Sequence, residues 1–305
     1  MKKLILLLAL TTGLLANAQQ LKPAAALWKH IEAKNDLFAR AFVSGDMVII
    51  TGAYTQQAVL MPEHNSMRYY PDAIKDFYKQ WLDAVTVKSF KKNIYEVEDL
   101  GGYALEIGTF TQNFTLKEGK PYDYTGKYMV LWQTGNNLNN PPLIAAEIWG
   151  ANAPFDNAAL PKIAGTHTPP ENNKPALNKK LEAEVKSRNK IIGRLVTERK
   201  GGEHARFFLP DAIYMTYYTP MLVGSSNITP YFVEHEKPGT LKIDALAINT
   251  GTVIETKKAV IEFGFYRVDW SDGAAKGTVT GKSINVWKRD KTGTLMLYRQ
   301  MVNHD

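Results

Sequence analysis

The chain has 305 residues, a formal net charge of +7 and no cysteine. The lack of cysteine excludes disulfides, zinc ribbons, thiol nucleophiles and redox pairs, so the fold must be held by burial alone. At 45% hydrophobic and 11% aromatic the chain has enough apolar material for that, and its length suggests two domains.

The first residues read MKKLILLLALTTGLLANAQQ. Lys2 and Lys3 precede an apolar run from Leu4 to Leu15, which closes on the small-x-small triplet Ala16-Asn17-Ala18. That is the pattern of a cleaved export signal over 1–18, with a mature start near Gln19. The run is shorter than the roughly 20 residues of a spanning helix, and no cysteine follows it to carry a lipid. The expectation is a periplasmic or secreted protein with no stable membrane anchor.

From Ala24 to Val43, Leu27, Ile31, Phe38 and Phe42 form a helical stripe. Gly45-Asp46 ends it, a short helix follows over Met47–Tyr54, and Gln57–Met61 is a brief strand stopped by Pro62. Pro71-Asp72 suits a helix start, and Ile74, Phe77, Tyr78, Trp81 and Leu82 give that third helix an apolar face. Four strands are expected near 87–97, 103–116, 123–133 and 143–151. Residues 156–176 carry Pro161, Pro169, Pro170 and Pro175 with Asp156, Asn157, Gly165, Asn172 and Asn173, a linker composition that includes His167.

Beyond the linker the order repeats, with a helix over 177–200, a strand at 212–216 and a helix near 226–234. Strands follow at 241–249, 253–269, 277–288 and 294–302. Ala58-Val-Leu-Met61 matches Ala212-Ile-Tyr-Met215, and Ile74 with Phe77 matches Ile228 with Tyr231, both 154 residues apart. Glu106-Ile-Gly108 matches Glu262-Phe-Gly264 at 156, and Gly126-Lys127 with Trp132 matches Gly281-Lys282 with Trp287 at 155. An ordered series with so little drift is a duplicated domain, here 21–155 and 177–305. Helices first and long strands after give each copy an α+β pattern. Charge is shared unevenly: 13 Lys/Arg against 14 Asp/Glu over 21–155, and 22 against 16 over 156–305. Nine of those bases lie in Lys179–Arg206, most simply the solvated side of an amphipathic helix.

These segments resemble the nuclear transport factor 2-like superfamily, in its SnoaL-like and ketosteroid-isomerase-like branch. The resemblance is carried by Tyr54–Pro62 (YTQQAVLMP), Glu106–Phe110 (EIGTF), Gly126–Trp132 (GKYMVLW) and Glu147-Ile-Trp149. It implies two cone-shaped domains, each a strongly curved antiparallel sheet wrapped around about three N-terminal helices, with an apolar cavity at the wide end. It also implies that the sheet faces pair, here as an internal pseudo-dimer.

The isomerases of that group place a carboxylate just after the first strand and another acid on the third long strand. This chain has Leu60-Met61-Pro62 and Tyr214-Met215-Thr216 at the first place, Val130-Leu131-Trp132 and Asn285-Val286-Trp287 at the second, and no acid in any of them. Weaker acid–base candidates are Glu63 and His64 after the strand, and Glu106 and Glu262, which recur in the repeat. Aromatic residues on cavity-bordering elements give the candidate ligand contacts: Tyr54, Trp81, Tyr128, Trp132 and Trp149 with Met61 in the first copy, and Tyr214, Tyr218, Tyr266 and Trp287 in the second. No histidine spacing suggests a metal, and no cofactor or nucleic-acid partner is expected. The leading expectation is therefore an exported, non-catalytic binder of a small apolar or aromatic molecule. The alternatives are an isomerase or lyase with an unfamiliar acid–base set, and an interaction module docking through the basic helix.

Overall fold

The computed structural model describes residues 23–117, 119–135, 141–165 and 178–305. The export signal, His167 and the later part of the expected linker lie outside them. In helix α1 (Pro23–Ser44) the stripe of Leu27, Ile31, Phe38, Ala41 and Phe42 is buried. Gly45 at φ +75° turns the chain, and Asp46 caps α2 (Met47–Gly52) by accepting from the Val48 and Ile49 amides. Strand β1 (Tyr54–Met61), the two-residue β2 (Arg68–Tyr69) and helix α3 (Tyr70–Ala84) come next. The long strands β3 (Val85–Asp99), β4 (Tyr103–Leu116), β5 (Pro121–Gln133) and β6 (Leu143–Ala151) complete the unit.

The second unit repeats this with α4 (Lys179–Thr197), a one-turn α5 (Gly201–His204), β7 (Phe208–Met215), β8 (Leu222–Val223), α6 (Ser225–His235), β9 (Lys242–Glu255), β10 (Val260–Asp272), β11 (Ala275–Arg289) and β12 (Leu295–His304). The sheet orders are β2-β1-β6-β5-β4-β3 and β8-β7-β12-β11-β10-β9. The class is α+β as expected, with two corrections. Each sheet is mixed rather than antiparallel, because the first strand returns beside the last and runs parallel to it (β1 with β6, β7 with β12). The break expected between strands 241–249 and 253–269, around Gly251, is not there: β9 runs on to Glu255 and the turn follows it. Gly251 sits inside the strand, where a Cβ would lie 2.5 Å from the Phe265 ring; the glycine marks close packing, not a chain reversal.

Alternation along the strands sorts side chains between two faces. Leu60, Phe110, Phe114, Tyr124, Tyr128 and Trp132 face the helices of the first cone. Met61, Leu105, Ile107, Met129, Leu131 and Ile148 face the other way and join Met215, Ile261, Phe263, Ile284, Val286 and Met301 of the second sheet in one buried cluster. The two sheets thus pack back to back, and the burial of each side chain on this seam contributes roughly 1.5–3 kcal/mol. Ion pairs flank the seam: Arg299 with Glu96 at 2.9 Å and Lys288 with Glu98 at 2.7 Å. The start of the expected linker is itself packed on the first unit, with Leu160 buried and the Ala164 amide donating to Gln80.

Candidate functional site

The floor of each cone is a buried carboxylate. Glu106 accepts from the Asn35 amide at 2.6 Å, the Tyr128 hydroxyl at 2.6 Å and the Trp132 indole at 2.8 Å. Glu262 accepts from Asn189 at 2.6 Å, Thr250 at 2.7 Å, and Asn285 and Trp287 at 3.0 Å each. Both point inward rather than to a lysine on the outer face. Burial holds both carboxyls above the ordinary range, opposed at Glu106 by the Lys92 charge and at both by these donors. Four donors fill the lone-pair sites of Glu262 and three occupy those of Glu106, which makes each carboxylate an anchor for its cone floor.

Above this floor, the first cone keeps a cavity of about 40 Å³ lined by Phe38, Phe42, Phe77, Tyr78, Trp81, Phe90, Phe110, Tyr128 and Trp149, with Lys92, Gln112 and Glu147. That space holds a water or two, so a ring enters only as the wall gives way; Phe90 and Trp149 are the half-buried aromatic members of that wall. Inside it, Lys92 pairs with Glu147 at 2.5 Å, both side chains being 5% exposed. The ammonium also lies 4.5 Å from the Tyr128 ring centre. Tyr54 donates to Glu147 at 2.8 Å and shares a hydrogen bond with Tyr78. Burial first, and the Glu147 charge second, hold both phenols well above their usual range. Two further donors, Trp81 Nε1 and Gln112 Nε2, are buried with no acceptor among the described residues. A buried N–H needs an acceptor, which a water or a guest oxygen in the cavity would supply.

The strand registers identify the second unit's counterparts. Pairing of Lys92 with Phe110 and of Ile248 with Tyr266 sets Lys92 against Ile248. In the same way Glu147 corresponds to Gln300, and Gln112 to Val268. The ion pair and the free amide donor are therefore absent from the second cone, where Phe208, Tyr214 and Phe232 stack on one another instead.

No protein family matches the sequence, and no curated protein does. Solved structures do. A protein from Catenulispora acidiphila, solved in complex with S-DNPA, is 20% identical with a TM-score of 0.38, covering 42% of this chain and 96% of its own. A ketosteroid isomerase-like protein from Erwinia carotovora atroseptica is 13% identical at 0.36, covering 42% and 98%. A nuclear transport factor 2-like superfamily protein from Salmonella enterica is 10% identical at 0.38, covering 43% and 94%. Each covers about the length of one unit. In both units the order of helices and long strands is the one the sequence resemblance implied.

Within the two units the expected site residues separate. Trp81, Tyr128 and Trp149 line the first cavity; Tyr54 and Trp132 lie in the same cone, bonded to Glu147 and Glu106. Met61 does not belong with them, since it faces the seam between the sheets. In the second unit Tyr214 and Trp287 are cone core. Tyr266 donates to the Asn303 carbonyl at 3.1 Å and packs over Gly281. Tyr218 leaves its own cone altogether, meeting His64 at 3.0 Å and Phe155 of the first unit. Glu63 is buried outside the cavity, accepting from Tyr124 at 2.7 Å and the Ala151 amide at 2.9 Å. The basic helix α4 is partly neutralised on its own surface by Lys186–Glu182 and Arg194–Glu198 pairs. Among the described residues no group of three or more His, Asp or Glu forms a metal site.

Sequence reasoning missed Lys92, Glu147, Gln112 and Asn35. Asn35 left a usable signal, because it interrupts an apolar helical stripe and Asn189 does the same 154 residues on.

Proposed function

We propose that this is an exported protein whose first cone binds a small, uncharged aromatic or amphipathic molecule bearing one acceptor oxygen, without transforming it. The observation that carries this is the pair of donors without a protein acceptor, Trp81 Nε1 and Gln112 Nε2, in a largely aromatic wall whose one ion pair, Lys92–Glu147, is internally neutralised. An anion fits less well, because Lys92 is already neutralised by Glu147 and a further buried negative charge would go unpaired. Export rests on the Met1–Ala18 pattern. A suitable probe is 2-acetylnaphthalene, two fused rings with one carbonyl. Titration followed by tryptophan fluorescence is expected to saturate, and Trp81→Phe to weaken binding about tenfold. Absence of saturable binding to the unmodified protein overturns the reading.

A second reading is favoured by Glu147, a carboxylate in the cavity wall beside two phenols. An isomerase- or lyase-type enzyme would use it as a base next to a carbonyl. The same probe separates the two. Deuterium uptake into its methyl group faster than in buffer, and lost in Glu147→Gln, makes the protein a catalyst; uptake at the buffer rate leaves it a binder.

A further inference from the structure

Met61 and Met215 are repeat equivalents, so a separation of 154 relates matching positions in that part of the two units. His64 and Tyr218 are likewise separated by 154, and they bond each other at 3.0 Å across the seam. A residue that meets its own equivalent lies on the two-fold axis of an isologous pair. Both have left-handed backbones, φ +55° and +53°, which bulky residues adopt only when their surroundings hold them there.

Away from that axis the symmetry is broken. Asn303 Nδ2 donates across the seam to the Trp149 carbonyl at 2.8 Å and the Met61 carbonyl at 3.1 Å. The registers Lys127–Gly150 and Lys282–Asn303 make Gly150 its counterpart, and a glycine has no side chain with which to return the grip. Lys127 and Lys282 bond equivalent carbonyls of their own units, Ala151 and His304. Lys282 alone also reaches over, to the Asn65 carbonyl at 2.6 Å. The His64 amide donates to the His304 carbonyl at 3.0 Å. The contacts among these that cross the seam meet residues 61–65 or Trp149 of the unit that keeps the cavity. Tyr124 joins the two, since its hydroxyl donates to Glu63 and receives the Trp149 indole N–H.

We infer that the second unit is a positioning partner for the first unit's cavity, with Asn303 fixing the Trp149 wall and Tyr218 the adjoining rim. This rests on the reading of the first cone as the ligand site. Neither residue lines the cavity, so both act through others.

The test uses the full chain labelled with 15N in its tryptophan indoles, in Asn303→Ala, Tyr218→Phe and, as a seam control, Lys288→Gln, which breaks the pair with Glu98. In the absence of any probe, Asn303→Ala is expected to move the Trp149 indole resonance while leaving those of Trp132 and Trp287 in place. Affinity for 2-acetylnaphthalene should fall about tenfold, and about twofold in Tyr218→Phe. Tyr218→Phe keeps the ring and serves if the alanine variant does not fold. An unmoved Trp149 resonance overturns the inference, as does an equal loss of affinity in Lys288→Gln, which would reduce the contact to general adhesion. If the unmodified protein does not bind the probe, the reading of the cavity fails, while the resonance still decides the role of Asn303.

Discussion

The two cones share a floor and differ in what stands on it. Glu106 with Asn35 and Trp132, and Glu262 with Asn189 and Trp287, are the same arrangement made twice. Above it the first cone places Lys92, Glu147, Gln112 and Trp81 in an aromatic shell, and the second has Ile248, Gln300 and Val268 at the places of the first three. Helix α6 has 11 residues and an internal Pro230, against 15 in α3, and buries only Ile228 and Phe232. What duplication preserved is therefore what folding needs. What changed is what a guest would touch.

The comparison breaks first at the floor. Glutamine in place of Glu106 or Glu262 keeps the shape but turns an acceptor into a donor facing other donors. Each variant is expected to lose about 2–4 kcal/mol of stability in urea unfolding, by similar amounts in both units. A loss confined to the first unit's probe binding, with stability intact, would make Glu106 functional and end the parallel.

A second effect belongs to the seam. Burial lowers both Lys127 and Lys282 to about 8, from 10.5 when unfolded. Between those values the unfolded chain holds more protons, so stability must rise as pH climbs from about 8 towards 10. The gain is on the order of 1–2 kcal/mol per lysine, before exposed tyrosines of the unfolded chain ionise. Lys282→Met should remove its share of that slope; an unchanged profile would place the ammonium in contact with water. The smallest effect sharpens the contrast between the cones. Gln112→Leu is expected to weaken 2-acetylnaphthalene about fivefold, whereas Val268→Ala, at the matching place in the second unit, should leave the titration unaltered.

Much of this architecture was legible because a 3.6-residue stripe and long alternating strands recur at a near-constant spacing. The cavity was less so, for a physical reason. Both faces of the central strands are buried, so Ala58-Val-Leu-Met61 is apolar throughout and Glu106 is flanked by apolar residues on both sides, and periodicity cannot say which side faces the cone. Met61 was assigned to the wrong face on that account, and Glu106 could not be oriented. Lys92 and Glu147 sit on strands β3 and β6, 55 residues apart, and only the curl of the sheet brings them together. Gly251 resembled a turn because close ring packing and chain reversal both select glycine.

The contact between His64 and Tyr218 has a consequence for how such a molecule changes over time. In a pair of identical chains every substitution arrives twice, once on each side, and an asparagine at position 303 would have to suit both. Joined in one polypeptide, the copies are written separately. One side can acquire a gripping side chain while the other keeps glycine, and the halves remain matched at any dilution. Fusion converts a symmetric surface into a frame with a left and a right, in which one half is free to specialise in holding the other.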